Sequence, residues 1–523
     1  ERKKVRVLLR TGSALLREDV ERVAAHQAHT LVVVNDEAVT EDDAAKEDDD
    51  SSSKITLGDD VSSPVLAKLL ALRQLLPEFS GNIVAETGSQ RDAHLAETFF
   101  RSTKVKRVDA VSSEQLRGRF LVQALQQPRL TSVITQLLEG NDSRAFHVMR
   151  VADLDPRAAG KSLADFDIYS NPSAIVVGYI DAVTRQTILE PNAKNLVLSA
   201  DTELIVLGKP SQDIASVAQS NPTGIGKRTA SNGGVKNAMR HIRRQSILIC
   251  GWREYMDDML IELDTSVAHG SQVVVVADSS YGYSMNKEEL RALEKKLRNI
   301  SLSITDAPPD DMQVLAKAFE RQTFNRVVIM PPSIRAQTTP STEADARSLT
   351  ILAYLNCLVR GADESRGAFL SDTKPPSITV EFLNERFAAL EWENAADVDN
   401  VIMPRAVAAR LSAEAVRDGR LCALWNQLLS QEGREIYIRP VSSYAPALSV
   451  PDNVAISAAF QTLGRKLREA SGDILIGAIE TQREKGATSK RLPSTITINP
   501  AGAARNTERI WDVDDMVIVL GRS

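Results

Sequence analysis

VDAVSSEQLRGRFLVQALQQPRLTSVITQLL, from Val108 to Leu138, returns late in the chain as NVIMPRAVAARLSAEAVRDGRLCALWNQLL, from Asn400 to Leu429. Arg129 and Leu130 fall on Arg420 and Leu421, and Gln136, Leu137 and Leu138 fall on Gln427, Leu428 and Leu429. Ordered matches lie on both sides. A chain that repeats itself is two copies of one structural unit before it is anything else.

Upstream of the first occurrence, Val5 to Leu9 (VRVLL) reads as a short buried strand. Ser13 then caps a helix through LLREDVERVAAH, and Leu31 to Val34 forms a second strand ending in Asn35, Asp36 and Glu37. After the acid- and serine-rich run EAVTEDDAAKEDDDSSSK come a helix (PVLAKLLALRQLL), a strand at Ile83 to Glu86 and a helix through Leu95 to Phe100. Copy two repeats the order with Ile300 to Ile304, DDMQVLAKAF, Val327 to Met330, ARSLTILAYLNCLV and Ile378 to Glu381. Strand and helix in alternation predict a parallel α/β sheet.

Copy two also has a front. Ile247 to Cys250 is a strand, GWREYMDDMLIELD continues as a helix, and Val273 to Asp278 is another strand, the opening β-α-β of a nucleotide-binding-type fold. Copy one begins where its third strand should be, so about 50 residues of it are expected upstream of Glu1. Each copy closes with short apolar strands punctuated by Gly, Pro, Asn and Asp, the marks of a small mixed sheet. Gly178 matches Gly477, Pro191 matches Pro500, Asp201 matches Asp514 and Gly208 matches Gly521. Between the copies, Ser211 to Arg244 with Gly224, Gly226, Gly233 and Gly234 reads as a linker.

The 523 residues exceed what one core supports. A net charge of −6 gives no reason to expect nucleic acid or an anionic membrane as partner. Cys250, Cys357 and Cys422 form neither a disulfide framework nor a CxxC metal pair, which suits a reducing compartment. No apolar run approaches the ~18 residues needed to cross a bilayer, and no signal-peptide pattern opens the chain.

Laid out this way, the chain resembles tandem RCK domains, the regulators of conductance on potassium channels and related transporters. LLRTGSALLREDVERVAAHQAHTLVVVNDE (Leu8 to Glu37) is similar to their third-strand signature, and the closing β units resemble their small C-terminal lobes. ILICGWREYMDDMLIELD, with CGWR followed three residues later by DDM, resembles the opening of the second RCK domain in CASTOR/POLLUX-type ion channels. The resemblance implies an α/β protein of two Rossmann-like RCK domains, the first truncated at its N-terminus, each followed by a small mixed β-rich C-lobe. Its divisions are 1–107 (partial Rossmann-like lobe), 108–144 (crossover helices), 145–210 (first C-lobe), 211–244 (linker), 245–399 (second Rossmann-like lobe), 400–433 (crossover helices) and 434–523 (second C-lobe). It further implies a non-enzymatic gating ring, working as a homotetramer below a transmembrane cation pore that precedes the chain. The host would be the nuclear envelope or another internal membrane, and Ca²⁺ the effector.

The first βα turn of copy two is where a dinucleotide would sit. Gly251 is followed by Trp252, Arg253 and Glu254, without the further glycines that let backbone N–H groups approach a pyrophosphate. Trp252 fills the space and Glu254 repels a phosphate, so Gly251, Arg253 and Asp278, the last placed like a ribose-binding acid, make a poor nucleotide site. The structural reading gives Arg253, Asp257 and Asp258 polar contacts at the helix start or across an interface.

The better ligand candidates are Asp36 and Glu37, ending a strand at the carboxyl edge of the sheet, with Asp59 and Asp60 before the next helix. Ca²⁺ takes several carboxylate and carbonyl oxygens, which converging acids supply. The run Glu41 to Asp50 reads as a solvated acidic loop. GIGKRT (Gly224 to Thr229) fails the phosphate-loop pattern, with Asn221 for its first glycine and Arg228 after the lysine. The pair His26 and His29 reads as surface rather than metal site.

The helix Ser113 to Leu138 and its repeat Arg405 to Leu429 carry apolar residues on more than one face, Leu116, Phe120, Leu121, Leu125, Ile134 and Leu137 in the first. One face serves its own domain; the other is expected to pack copy one on copy two. Two rivals remain: a nucleotide-sensing regulatory subunit of a potassium transporter, and an NAD-dependent oxidoreductase. Both need the missing glycine fingerprint, and the second a proton donor in a cleft.

Overall fold

In copy one, β1 (Thr30–Val33), β2 (Asn82–Thr87) and β3 (Arg107–Ser112) pair in parallel, in that order. The computed structural model describes residues 6–34, 64–139, 144–190, 193, 196–209, 244–253, 256–279, 287–331, 341–364, 375–388, 398–430, 433–448, 455–480, 495–512 and 515–522. Strand β3 falls in the stretch that the sequence reading began as crossover. Helix α1 (Arg17–Arg22) precedes the sheet, α2 (Pro64–Leu75) and α3 (Gln90–Phe100) connect its strands, and α4 (Ser113–Gln126) and α5 (Leu130–Leu138) follow it.

The first lobe is an antiparallel sheet of β4 (Phe146–Arg150), β5 (Ile175–Ile180), β6 (Thr187–Ile188) and β7 (Glu203–Leu207), ordered β4-β7-β5-β6. Copy two holds six parallel strands: β8 (Ser246–Cys250), β9 (Ser271–Ala277), β10 (Ile300–Asp306), β11 (Arg326–Ile329), β12 (Ser377–Glu381) and β13 (Val398–Ile402). Their order, β10-β9-β8-β11-β12-β13, is the doubly wound order of a Rossmann sheet. The second lobe repeats the first: β14 (Arg434–Pro440), β16 (Ile474–Glu480), β17 (Thr495–Ile498) and β19 (Met516–Arg522) run β14-β19-β16-β17, beside a ribbon of β15 (Ile456–Ala459) and β18 (Glu508–Trp511).

The repeat extends to single residues. Both lobes slip register at the matched glycines, between Val176 and Gly178 in one and Leu475 and Gly477 in the other. A Cβ on Gly178 would stand 2.4 Å from the Ile188 carbonyl oxygen, and one on Gly477 2.6 Å from that of Thr497. A bulge with a neighbouring backbone pressed against it admits only glycine.

Two sequence expectations fail. Val5 to Leu9 is no strand over its described residues: Val7, Leu8 and Leu9 lie outside any sheet, 73%, 62% and 85% exposed. The reason is topological. Among the described residues its counterpart in copy two, β10, pairs with β9 alone, and the sheet of copy one holds no counterpart of β9 or β8. The helix expected from Ser13 also shrinks to α1, because Ser13 N–H donates to Asp19 Oδ2 (2.8 Å) while Ala24 turns left-handed at φ 51° and ends it.

Each crossover helix is likewise two helices rather than one. Pro128 forces Gln127 into an extended conformation (φ −136°, ψ 107°), and Arg129 at φ 68° starts α5. In copy two, Asp418 breaks the chain between the helices Pro404–Arg417 and Gly419–Leu428, accepting from Arg420 N–H at 3.1 Å as a cap.

Parallel strands alternate their side chains between two buried faces. Ile247 and Ile249 face a central core and Leu248 and Cys250 an outer one; Val84 faces the centre and Ile83 and Ala85 the other side. The central core contains Leu116, Phe120, Leu121, Leu125, Ile134 and Leu137, all nearly inaccessible, together with Met259, Trp425 and Ile436 of copy two. The crossover helices therefore do join the copies. Each such side chain contributes roughly 1.5–3 kcal/mol by burial.

Candidate functional site

The first βα turn of copy two is built on Gly251. Its φ of +112° belongs to glycine, and an added Cβ would lie 2.4 Å from the Met330 carbonyl oxygen, where β8 and β11 run side by side. Gly251 N–H donates to Val276 (2.8 Å) and Met330 N–H to Cys250 (2.9 Å), locking the turn to both neighbouring strands. Gly251, Trp252, Asp278, Asp310, Arg347 and Ser348 line a cleft there, at the point where the strand order reverses. Its cavity volume of about 30 Å³ takes a water molecule or one ion.

Two predicted residues, Gly251 and Asp278, thus meet in one cleft. Arg253 does not join them. It turns inward, 3% exposed at the side chain, and its Nη1 donates to both oxygens of Glu381, at 3.2 and 3.0 Å. Glu381 ends β12 and is fully buried, and Arg117 from α4 of copy one binds the same carboxylate. The triad Arg117–Glu381–Arg253 ties the crossover helix of one copy to the nucleotide-type turn of the other. Asp257 and Asp258 do sit at the start of the next helix, Met256–Ser266, and burial raises the Asp258 pKa, with Asp257 adding to the shift.

Sequence reading missed Glu381 as a partner. An acid closing the β-branched run Ile378 to Val380 was the available signal, since a buried carboxylate at a strand end demands a cation.

The two helix breaks exchange partners across a pseudo-twofold. In the register that sets Arg129 on Arg420, Asn400 matches Asp109 and Ala415 matches Ala124. Asn400 Nδ2 donates to the Ala124 and Gln127 carbonyls (2.7 and 3.2 Å) at the end of α4. Arg107, held by Asp109 at 2.5 Å, donates to the Ala415 carbonyl at 3.1 Å. Burial raises the Asp109 pKa against the pull of Arg107. Gln127 also works across the copies: its amide donates to Ile436 O (2.9 Å) and accepts from Ile438 N (2.8 Å), pairing with the free edge of β14 as another strand would.

The acids Asp36, Glu37, Asp59 and Asp60 lie outside the described residues, as do GIGKRT and the rest of the linker except Arg244. Among the described residues no group of three or more His, Cys, Asp or Glu side chains is placed to hold a metal ion. Nor, among them, is any helix long and apolar enough to cross a membrane.

The same arrangement of two Rossmann-like units and two small lobes occurs in the human SLO3 gating ring, which matches at TM-score 0.60 and 14% identity over 98% of this chain and 91% of that one. The fold is thus similar to that of a gating ring. In sequence, the chain is 22% identical over 533 aligned positions to the ion channel CASTOR of Lotus japonicus, covering 98% of this chain and 55% of the relative. It is 20% identical over 549 positions to the probable ion channel POLLUX of Arabidopsis thaliana, covering 99% and 58%. The chain is thus similar to CASTOR- and POLLUX-type ion channels along nearly its whole length, and it spans somewhat more than half the length of these relatives. No protein-family model matches it.

Proposed function

We propose that the chain is the ligand-sensing gating-ring module of a cation channel, without catalytic activity, assembling as a homotetramer beneath a transmembrane pore carried elsewhere in the full protein. The observation behind this reading is the joining of two RCK-type units through their crossover helices into one core, with likeness to a gating ring and to ion channels along nearly the whole chain. The divisions given from the sequence serve as its working domains, and the host membrane is the nuclear envelope or another internal membrane.

A ring gates a pore when an effector binds two inter-domain arrangements with different affinity; a difference of about 1–3 kcal/mol is typical. The effector in this reading is Ca²⁺. Asp36 and Glu37 follow β1 in the sequence, Asp59 and Asp60 supply further carboxylates before α2, and Ca²⁺ takes several such oxygens. Nucleotide is disfavoured: the turn at Gly251 lacks the further glycines of a dinucleotide fingerprint, and Arg253 is engaged by Glu381.

Calorimetric titration of the chain with Ca²⁺ tests this. Saturable binding that disappears in the Asp36→Asn/Glu37→Gln variant supports the reading; binding unaffected by that variant, or none, removes Ca²⁺ at these residues from it.

A further inference from the structure

The two small lobes close on each other around residues 163–174 of copy one. Arg468, from the helix Phe460–Ser471, donates to the carbonyls of Phe166, Leu163 and Ala164 at 2.6, 3.1 and 3.2 Å. Arg465 binds Asp167, and the Tyr169 hydroxyl accepts from Leu475 N–H at 2.8 Å. The helix Ala503–Asn506 inserts Arg505 into the same seam. Its side chain is fully buried, and Nη1 donates to the carbonyls of Asn171 (2.5 Å) and Ala174 (3.2 Å).

Beyond these bonds the guanidinium meets the face of the Tyr169 ring, its carbon 5.9 Å from the ring centre, and its other N–H groups are unanswered. Nε and Nη2 of Arg505 have no acceptor, and neither does the amide nitrogen Nδ2 of the buried Asn171, whose own carbonyl Arg505 holds. No carboxylate pairs with it: Asp167, the acid that acts on it, is bound by Arg465, itself a like charge. Glu469 and Arg434 act on neighbouring Arg468 with opposite sign, so they leave the excess of cations in place. Burial lowers the Arg505 pKa to about 10, which still leaves it charged at neutral pH.

A buried unpaired charge is among the costliest features a fold can carry, and an orphaned donor adds to it. A water molecule would satisfy the donors and leave the charge. A small anion satisfies both. We propose that Arg505 and Asn171 bind a monovalent, chloride-class anion between the two lobes, through Nε and Nη2 of the arginine and Nδ2 of the asparagine. Asn171 belongs to the lobe of copy one and Arg505 to that of copy two, so the anion ties the closed pair together.

The test is made on the whole chain. Crystals soaked in bromide should show an anomalous peak beside Arg505. Tm in chloride should exceed Tm in gluconate at equal ionic strength by about 2 °C or more, and Arg505→Gln should abolish the difference. Absence of the peak overturns the proposal. So does a peak with a Tm indifferent to chloride, which marks an adventitious ion only. Should Arg505→Gln fail to fold, Asn171→Ala takes its place: a chloride dependence undiminished in that variant overturns the proposal, and a diminished one supports it.

Discussion

Arg253 and Glu381 form a buried ion pair beside the first βα turn of copy two, with Arg253 turned away from the cleft that Gly251 and Asp278 line. Nη1 of Arg253 reaches both carboxylate oxygens, at 3.2 and 3.0 Å, and Arg117 arrives from the other copy to complete the set. The turn that in other folds reads a ligand is here part of the joint between two domains.

Removing the shared acid leaves two buried guanidinium groups facing each other. Glu381→Gln is expected to destabilise the chain by about 3–5 kcal/mol in urea denaturation. Replacing all three members together (Arg117→Met, Arg253→Met, Glu381→Leu) should cost much less, since well-packed apolar groups often substitute for a buried ion set. A triple variant as unstable as the single would mean that geometry, not charge, makes this joint.

Gly251→Ala meets two obstacles at once, a φ of +112° and the Met330 oxygen at 2.4 Å. Backbone strain of this kind costs about 1–3 kcal/mol. The urea midpoint should fall accordingly, with the m-value unchanged because the native surface is the same. An unchanged midpoint would show that β8 and β11 separate easily at this edge.

Much of this architecture was legible because Val-, Ile- and Leu-rich runs repeat in one order, and a strand buried on both faces has no other composition. VRVLL at Val5 to Leu9 shows the limit: its composition is that of a strand, but a strand is made by its neighbour, and among the described residues the sheet of copy one has no β8- or β9-like partner. The joint was equally hidden. Arg117 and Glu381 are 264 positions apart and belong to different copies, so no local spacing relates them. Of the proposed effector residues, only their place after β1 was open to reading.

Asp109 and Asn400 are matched positions with different charge, and the difference is testable. Burial raises the Asp109 pKa above its ordinary 3.8, so the native state keeps a proton that the unfolded chain has released. In that window the unfolded state binds fewer protons, and stability falls as pH rises from 3.8 through the folded-state pKa. Asp109→Asn, which copies the residue at 400, removes this dependence. The Tm of the variant minus that of the parent should therefore grow between about pH 4 and pH 7; a difference that shrinks over this range contradicts the assignment.

Among the described residues β1 is an edge strand with Val32 and Val34 about half exposed, and Val7, Leu8 and Leu9 add uncovered apolar surface on the same unit. In copy two the matching strand, β11, has β8 hydrogen-bonded along its whole length. An unpaired parallel edge flanked by apolar side chains is a template for another strand. The chain as given should accordingly associate in sedimentation experiments as its concentration rises. Lysine at the exposed edge position, Val32→Lys, should weaken that association about tenfold or more while leaving Tm nearly unchanged, because a charge blunts an open edge without touching the core. A chain that remains a single monodisperse monomer would mean that the edge of β1 is covered from within, and the kinship between the two halves would then end at β1.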